Sequence, residues 1–359
     1  IQSLDNVFFA LIFISSMSLN SRIKASFWKI EDKGVDVLHS VSVKPFEHLP
    51  LSFTDERVNV AVKYHNDKWF HNEIVVRMEN TFVEPQYCYA INGIRTIIGI
   101  SMQTRNNLPS PIPILKAHFL GQRKLLKKAI IFDGSMGVNY FHFISDVLNK
   151  IYLLEKFTKI DCPLLVSRQV YSKPFFQYFI TETKLSGYDW LPIDEVVKVE
   201  ELYIARPLPY GKELWLRTKA LFIKKDYDLV IQKAIFINRI GTRNITNFEE
   251  IESILNKYSV EIVEPGNLNV AQQAALFNAA SHIIGIHGAG MTNLVFCNHQ
   301  KVKVLELCWN NRIGTQYYWL CQSLGIDWDM HLGGAANANQ SFELEPEKFE
   351  RRLMKFLAS

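Results

Sequence analysis

Cysteine is sparse and unpaired in this chain. The five residues Cys88, Cys162, Cys297, Cys308 and Cys321 are odd in number, scattered, and never spaced as CxxC. That spacing argues against a disulfide framework and a cysteine zinc cluster, and favours a reducing compartment, the cytoplasm. Long apolar runs are missing too. Val7 to Ile14 is a run of eight residues, short of the ~20 needed to span a bilayer. Arg22 and Lys24 follow it, whereas a signal peptide carries its positive charge ahead, so a buried strand or helix is expected there. The chain starts without Met, so an incomplete N-terminus is expected. Dense basic runs with interleaved aromatics are absent, Arg123 to Lys128 being the nearest approach. A net charge of +4 falls short of a nucleic-acid footprint. It permits anionic ligands and a loose peripheral association with the inner face of the cell membrane. The glycosylation-type triplets Asn244-Ile-Thr246 and Asn339-Gln-Ser341 are no more than chance supplies. No repeat or low-complexity segment stands out, apart from a small flexible stretch expected at Gly333–Asn339.

With 48% hydrophobic and 21% charged residues over 359 positions, the chain has the composition of a soluble enzyme with room for two domains. Residues 1–130 are weakly patterned, with short strand-like runs at Val58–Tyr64, Ile74–Met78 and Arg95–Ile100. From Ile130 the pattern sharpens. A strand at Ala129–Phe132 leads through the loop Asp133–Gly137 into a helix over Tyr140–Phe157, whose apolar positions follow the helical repeat. The cluster Pro207-Leu-Pro-Tyr-Gly211 marks a hinge. Beyond it strands and helices alternate, with capping boxes expected at Asn247/Glu250 and Asn269/Gln272, and a final helix opened by Pro346. Such alternation predicts an α/β architecture with parallel strands and ligands at their carboxyl ends. The expected divisions are an acceptor-side domain over 1–210, a nucleotide-binding domain over 211–345, and a helix at 346–359 that packs back on the first domain.

Three loops at such strand ends carry anion chemistry. In His282-Ile-Ile-Gly-Ile-His-Gly-Ala-Gly-Met-Thr-Asn293 an apolar strand stops at His287 and opens a helix through Gly288, Ala289 and Gly290. Bare N–H groups at the positive end of a helix dipole seat phosphate, and glycine permits close approach. The glycine order differs from the dinucleotide fingerprint, which wants G-x-G-x-x-G. The loop Asn238-Arg-Ile-Gly-Thr-Arg243 places Arg239 and Arg243 around Gly241, suited to bidentate contacts with a diphosphate. Glu306, between Leu305 and Leu307 on the next strand, suits ribose hydroxyls; an internal salt bridge is the alternative. Asn293, one turn into the helix, can point back to the ligand.

A fourth constellation is Asn139-Tyr-Phe-His-Phe-Ile-Ser-Asp146. His142 and Asp146 share one helix face and form a general-base pair in which either can take the proton. The triplets Asp226-Tyr-Asp228 and Asp327-Trp-Asp329 have a metal–diphosphate look, but neither adjoins a glycine loop, and no metal is expected. Trp309 to Arg312 and Tyr317 are candidates for sugar specificity.

Residues from about 130 to 330 resemble glycosyltransferase family 61. That group includes bacterial capsule and cell-surface polysaccharide transferases, plant xylan-decorating enzymes and eukaryotic protein O-linked GlcNAc transferases. The likeness lies in Asn-Tyr-x-His-x-x-x-Asp at 139–146, Asn-Arg-x-x-x-Arg at 238–243, and Gln273 ahead of Leu276-Phe277 and Ala280. Gly-x-His-Gly-Ala-Gly-x-Thr-Asn-x-x-Phe at 285–296 and Leu-Glu-Leu at 305–307 complete it. Some members carry a second histidine where this chain has Phe143. The resemblance implies a GT-B fold, two Rossmann-like domains facing across a cleft, and an inverting mechanism without an obligatory metal or cofactor. The donor would be a nucleotide-diphosphate sugar, usually a UDP-sugar, held by Arg239, Arg243, His287, Gly288, Ala289, Gly290 and Asn293, with Glu306 on the ribose. His142 or Asp146 would deprotonate a glycan or lipid-linked acceptor, expected to belong to a bacterial surface polysaccharide. The rivals are a nucleotide-sugar epimerase or hydrolase on the same scaffold, and a non-catalytic nucleotide-sugar-binding module.

Overall fold

The computed structural model describes residues 19–43, 55–68, 71–102, 107–207, 211–223, 233–299 and 301–359. The run Val7–Ile14, the triplet Asp226–Asp228 and the middle of the 207–211 hinge lie outside them. The described residues form a mixed α/β structure with two sheets.

The first sheet contains β1 (Lys29–Glu31), β2 (Asp36–Val43), β3 (His71–Val83), β4 (Ala90–Asn92) and β5 (Thr96–Ile98). It continues through β6 (Lys124–Ile131), β7 (Leu164–Ser167), β8 (Trp190–Ile193) and β9 (Val197–Arg206). The strand order is β1-β5-β4-β3-β9-β6-β7-β8, with β2 paired to β3. Antiparallel pairs join β3 to its neighbours, whereas β9, β6, β7 and β8 run parallel. The second sheet is wholly parallel, in the order β11-β10-β12-β13-β14. Its strands are β10 (Lys233–Ile237), β11 (Glu261–Val263), β12 (Ala280–Ile286), β13 (Lys303–Cys308) and β14 (Asp327–Leu332). Ile235, Phe236, Ile283, Ile284, Val304 and Leu305 are buried, as expected of central strands covered on both faces.

Local chemistry explains most boundaries. Asn269 and Gln272 form the expected reciprocal box ahead of the helix Val270–Ala279. Gly325, at φ 72°, closes the helix Gln316–Leu324 in the left-handed conformation. Asn247 makes no such cap; its side chain instead donates to Leu344 O and accepts from Leu344 N, tying the 244–247 loop to the chain's last crossing. The run Val58–Tyr64 is helical, within Glu56–Lys68, not extended. Val58 and Val62 lie one turn apart and are both buried, so packing overrides their β-branched preference. Gly333–Asn339 is pinned, with Gly333 N donating to Cys308 O and Gly334 N to Glu343 O.

A continuous apolar core runs from Ile130, Phe143 and Phe179 of the first half through Trp215 to Phe296 and Trp319 of the second. Phe222 bridges it, its ring 5.1 Å from Phe179 and 5.5 Å from Phe296. The last helix, Pro346–Leu357, buries Phe349, Leu353 and Phe356. It pairs with the helix Phe248–Lys257 through Lys257–Glu350 and with β14 through Arg352–Asp329. Its far side meets the first half at Asp55, with which Lys348 lines a shared cavity. Among the described residues no helix is long and apolar enough to cross a membrane.

Candidate active site

The carboxyl ends of β9, β12 and β13 open onto one cavity of about 750 Å³ between the two sheets. Its first-half wall carries His142, Asp146, Lys150 and Arg206; its second-half wall carries Arg243, His287, Trp309, Arg312 and Gln340. A smaller cavity of about 300 Å³ shares Arg243 and Gln340 with it, and is lined also by Asn139, Arg239 and Ala289.

On the first wall, Asn139 caps the helix that bears the pair, accepting from Phe141 N at 3.0 Å. The helix begins as α over Tyr140–His142, widens to a π-helix over Phe143–Leu148, and resumes as α over Asn149–Leu154. An inserted π turn rotates the residues after it relative to those before, and such segments favour functional sites. Here it carries Asp146. His142 Nδ1 donates to Asp146 Oδ2 at 2.7 Å, and Ser145 Oγ donates to Oδ1 at 2.7 Å. Both oxygens are thereby oriented, and the half-buried pair faces the cavity.

Lys150, one further turn along, was not singled out by sequence, although the spacing 142, 146, 150 puts all three on one face. Its ammonium is buried and donates to Asp133 O at 2.7 Å. Burial pulls its pKa down to about 8, against the opposing pull of Asp133. Burial also pushes the Asp133 carboxyl up to about 6, although Ser167 and the Gly134 N–H bond to it. Gly137 is required beside it, since a Cβ there would stand 2.3 Å from Asp133 Oδ1.

On the second wall, Arg239 and Arg243 sit at the end of β10. Gly241 and Arg243 both take positive φ, 90° and 62°. For arginine this is the unfavourable left-handed region, costing about 1–2 kcal/mol. It is held by the 337–341 turn: Arg243 N donates to Asn339 O, and Arg243 Nε to Gln340 Oε1 at 2.6 Å. The Arg243 guanidinium lies 5.8 Å from the centre of the Trp309 ring. Burial and then the neighbouring Arg243 lower the pKa of Arg239. Among the described residues no carboxylate is paired with Arg239, Arg243 or Arg312, so an anion would complete the cluster.

The glycine loop opens a 3-10 helix, Ala289–Phe296, in place of the α-helix expected. Gly288 lies under the Arg239 guanidinium, where a Cβ would come within 1.6 Å of its terminal nitrogen. In this state an arginine makes the close approach that glycine allows. His287 reaches the main cavity, its ring 5.6 Å from Trp309 and 5.4 Å from Tyr317.

Two expected ligand groups are turned inward. Glu306 is fully buried; one oxygen accepts from His287 Nδ1 at 2.5 Å and the other from Trp328 Nε1 at 2.9 Å. Neither cavity is lined by it; it stands behind His287. The internal pairing prevails because a carboxylate this deep needs donors the protein itself supplies. Asn293 is equally buried. It donates to Gln273 Oε1 and Gly290 O and accepts from Tyr140 Oη at 2.9 Å, joining the glycine loop to the helix of the base pair. Asp329 of the second DxD triplet pairs with Arg352, away from both cavities. Gln340 and Gly314, which touch Arg243 and His287, had no sequence signal.

Residues 140–304 match the family model described as Glycosyltransferase 61. They form a glycosyltransferase 61 region. Its bounds enclose the helix of His142 and Asp146, the arginine loop and the glycine loop. The chain is similar to a β-1,2-xylosyltransferase of Oryza sativa subsp. japonica, with 27% identity over 216 residues, 50% of this chain and 37% of that protein. It is similar also to an α-1,3-arabinosyltransferase of the same plant, with 29% identity over 87 residues, 23% of this chain and 15% of that protein. The chain thus spans well under half the length of these two relatives.

Proposed function

We propose that this protein is an inverting glycosyltransferase that moves a pentosyl residue from a nucleotide-diphosphate donor, a UDP-sugar, to a hydroxyl of a glycan. The supporting observation is one cavity with a His142–Asp146 pair on one wall and, on the other, His287 beside arginines that pair with no carboxylate among the described residues. The two sheets serve as the facing halves of a GT-B arrangement. The acceptor O–H gives its proton to the His142–Asp146 pair as its oxygen forms the bond to C1. The C1–O bond to the β-phosphate breaks, and the diphosphate leaves with the electron pair, met by Arg239, Arg243 and His287. Fixed cations stabilise that charge in the role a divalent metal plays elsewhere. Pentose is favoured over the broader hexose-or-pentose expectation by the names of the two relatives. Both are plant proteins, so the bacterial capsule setting gains no support.

The test is turnover with UDP-xylose and UDP-arabinose, with and without xylan oligosaccharides, and NMR of the anomeric product. Transfer with inversion in wild type, and loss of donor affinity in Arg243→Ala, is the expected result. Donor turnover independent of acceptor would favour the hydrolase instead. UDP bound in crystals away from Arg243 and the loop after Ile286 would end the proposal.

A further inference from the structure

The last helix carries a second group of cations that plays no part in the cavity above. Lys348, Arg351, Arg352 and Lys355 follow the spacing i, i+3, i+4, i+7, which puts all four on one helix face. Like charges so placed repel, so a fold that gathers them benefits from a compensating anion. They line a separate cavity of about 290 Å³, together with His331 and Leu332 of β14 and Asp55 at the start of the helix Glu56–Lys68. The internal charges are largely spoken for. Arg351 pairs with Glu347 and Arg352 with Asp329, while Asp55 takes a two-pronged contact from Arg57. Lys348 and Lys355 remain without an ion pair among the described residues. Two uncompensated positive charges match a dianion.

Two further nitrogens lie beside these charges. His331 is 6% exposed, packed against the Phe349 ring 6.0 Å away. Burial, and then Lys348, hold its pKa down at about 4, so it is uncharged near neutrality and offers an N–H. The Arg352 Nε is buried without a hydrogen-bond partner. A volume near 290 Å³ accommodates more than a bare phosphate, whose organic substituent would lie on Met330 and Leu332.

We propose that this cavity between the last helix, β14 and Asp55 is a second anion site, built for a phosphate monoester. It is distinct from the donor cavity and independent of the reaction assigned there. Both halves of the molecule contribute to it, so its occupation would tie the last helix to the first half.

Inorganic phosphate is the probe, titrated against melting temperature with NaCl holding ionic strength constant. An Arg239→Met/Arg243→Met/Arg312→Met variant silences the donor cavity. In it a saturable rise in melting temperature should persist. Adding Lys348→Met/Lys355→Met should reduce that rise several-fold, and Lys348→Arg/Lys355→Arg should restore most of it. The lysines are exposed, so the Met pair is expected to fold; circular dichroism of the Met and Arg pairs checks it. No rise in the donor-silenced variant, a rise equally produced by NaCl, or one indifferent to Lys348 and Lys355 would each overturn the site. Flotation with phosphatidylcholine vesicles, with and without phosphatidic acid, separates the sources. Lysine-dependent binding to the acidic vesicles identifies a lipid headgroup; a phosphate response without vesicle binding identifies a soluble ester.

Discussion

His287 Nδ1 stands 2.5 Å from the Glu306 carboxylate, which solvent does not reach. With Nδ1 engaged there, the other ring nitrogen is left for the cavity. Glu306 is therefore a positioning residue acting through His287. Glu306→Ala strands two buried donors, His287 Nδ1–H and Trp328 Nε1–H, at about 1–3 kcal/mol each. Trp328→Phe removes one bond and should cost about 1–2 kcal/mol by urea unfolding, with turnover within a few-fold of wild type. Glu306→Gln should raise donor KM without changing the preference for a ribose over a 2′-deoxyribose nucleotide. Loss of that preference would restore the ribose role.

Gly288 and Gly314 give a paired prediction. An alanine Cβ at 288 meets the far end of Arg239, a flexible side chain that can swing away. Gly288→Ala should thus fold almost normally and bind donor about tenfold more weakly, as expected when one charge-assisted contact of about 1.5 kcal/mol is lost. At 314 the Cβ would stand 2.3 Å from the His287 ring, which Glu306 holds in place. Gly314→Ala should lower the melting temperature as well as kcat. Equal melting temperatures for the two variants would refute the distinction.

The proton acceptor is tested by Asp146→Asn and His142→Ala. The true base should lose ~10²–10⁴ in kcat with donor binding retained. Because the residues share a hydrogen bond at 2.7 Å, the partner's removal should also slow turnover, through lost orientation, and the double variant should be far from additive. Single-turnover rates beside equilibrium donor binding separate these effects. If neither change slows the reaction more than a few-fold, the base is another group.

Legibility followed the range of the interactions. The parallel strands β10 and β12 could be read because each is an apolar run ended by asparagine or histidine. The cap at Asn269 is local chemistry and matched to the residue. The His142–Asp146 contact was legible from a four-residue spacing, and survives even though the helix widens to a π turn there. What failed was long-range. Asn247 abandons its cap for Leu344, and Gln340 braces Arg243 across 97 positions of sequence. The inward turn of Glu306 depends on Trp328, whose place beside it is set by the pairing of β13 with β14. In the first half, Val58 and Val62 favour strand by residue type, and only the surface they pack against makes them helical.

A pH dependence of stability should come from Glu84. This carboxyl is 1% exposed, at the turn between β3 and β4. Burial pushes its pKa from 4.5 up to about 7, although the N–H groups of Tyr89, Gln86 and Tyr87 donate to it. An acid whose pKa is raised by folding binds its proton more tightly in the native state. Its contribution is therefore fully present below pH 4.5 and is lost as pH rises through about 7. Glu84→Gln cannot titrate. It keeps a carbonyl oxygen for Tyr87 and Tyr89, which both donate to Oε1, but turns an NH₂ toward the Gln86 N–H that Oε2 now accepts. That mismatch costs the same at every pH, so the variant isolates the titration. Asp133 titrates nearby in the same direction, but it is present in both proteins and largely cancels in their difference. The melting temperature of wild type relative to Glu84→Gln should be highest near pH 4.5, fall through pH 7, and level off above it. A difference that stays flat across that window would mean Glu84 does not hold its proton in the folded protein.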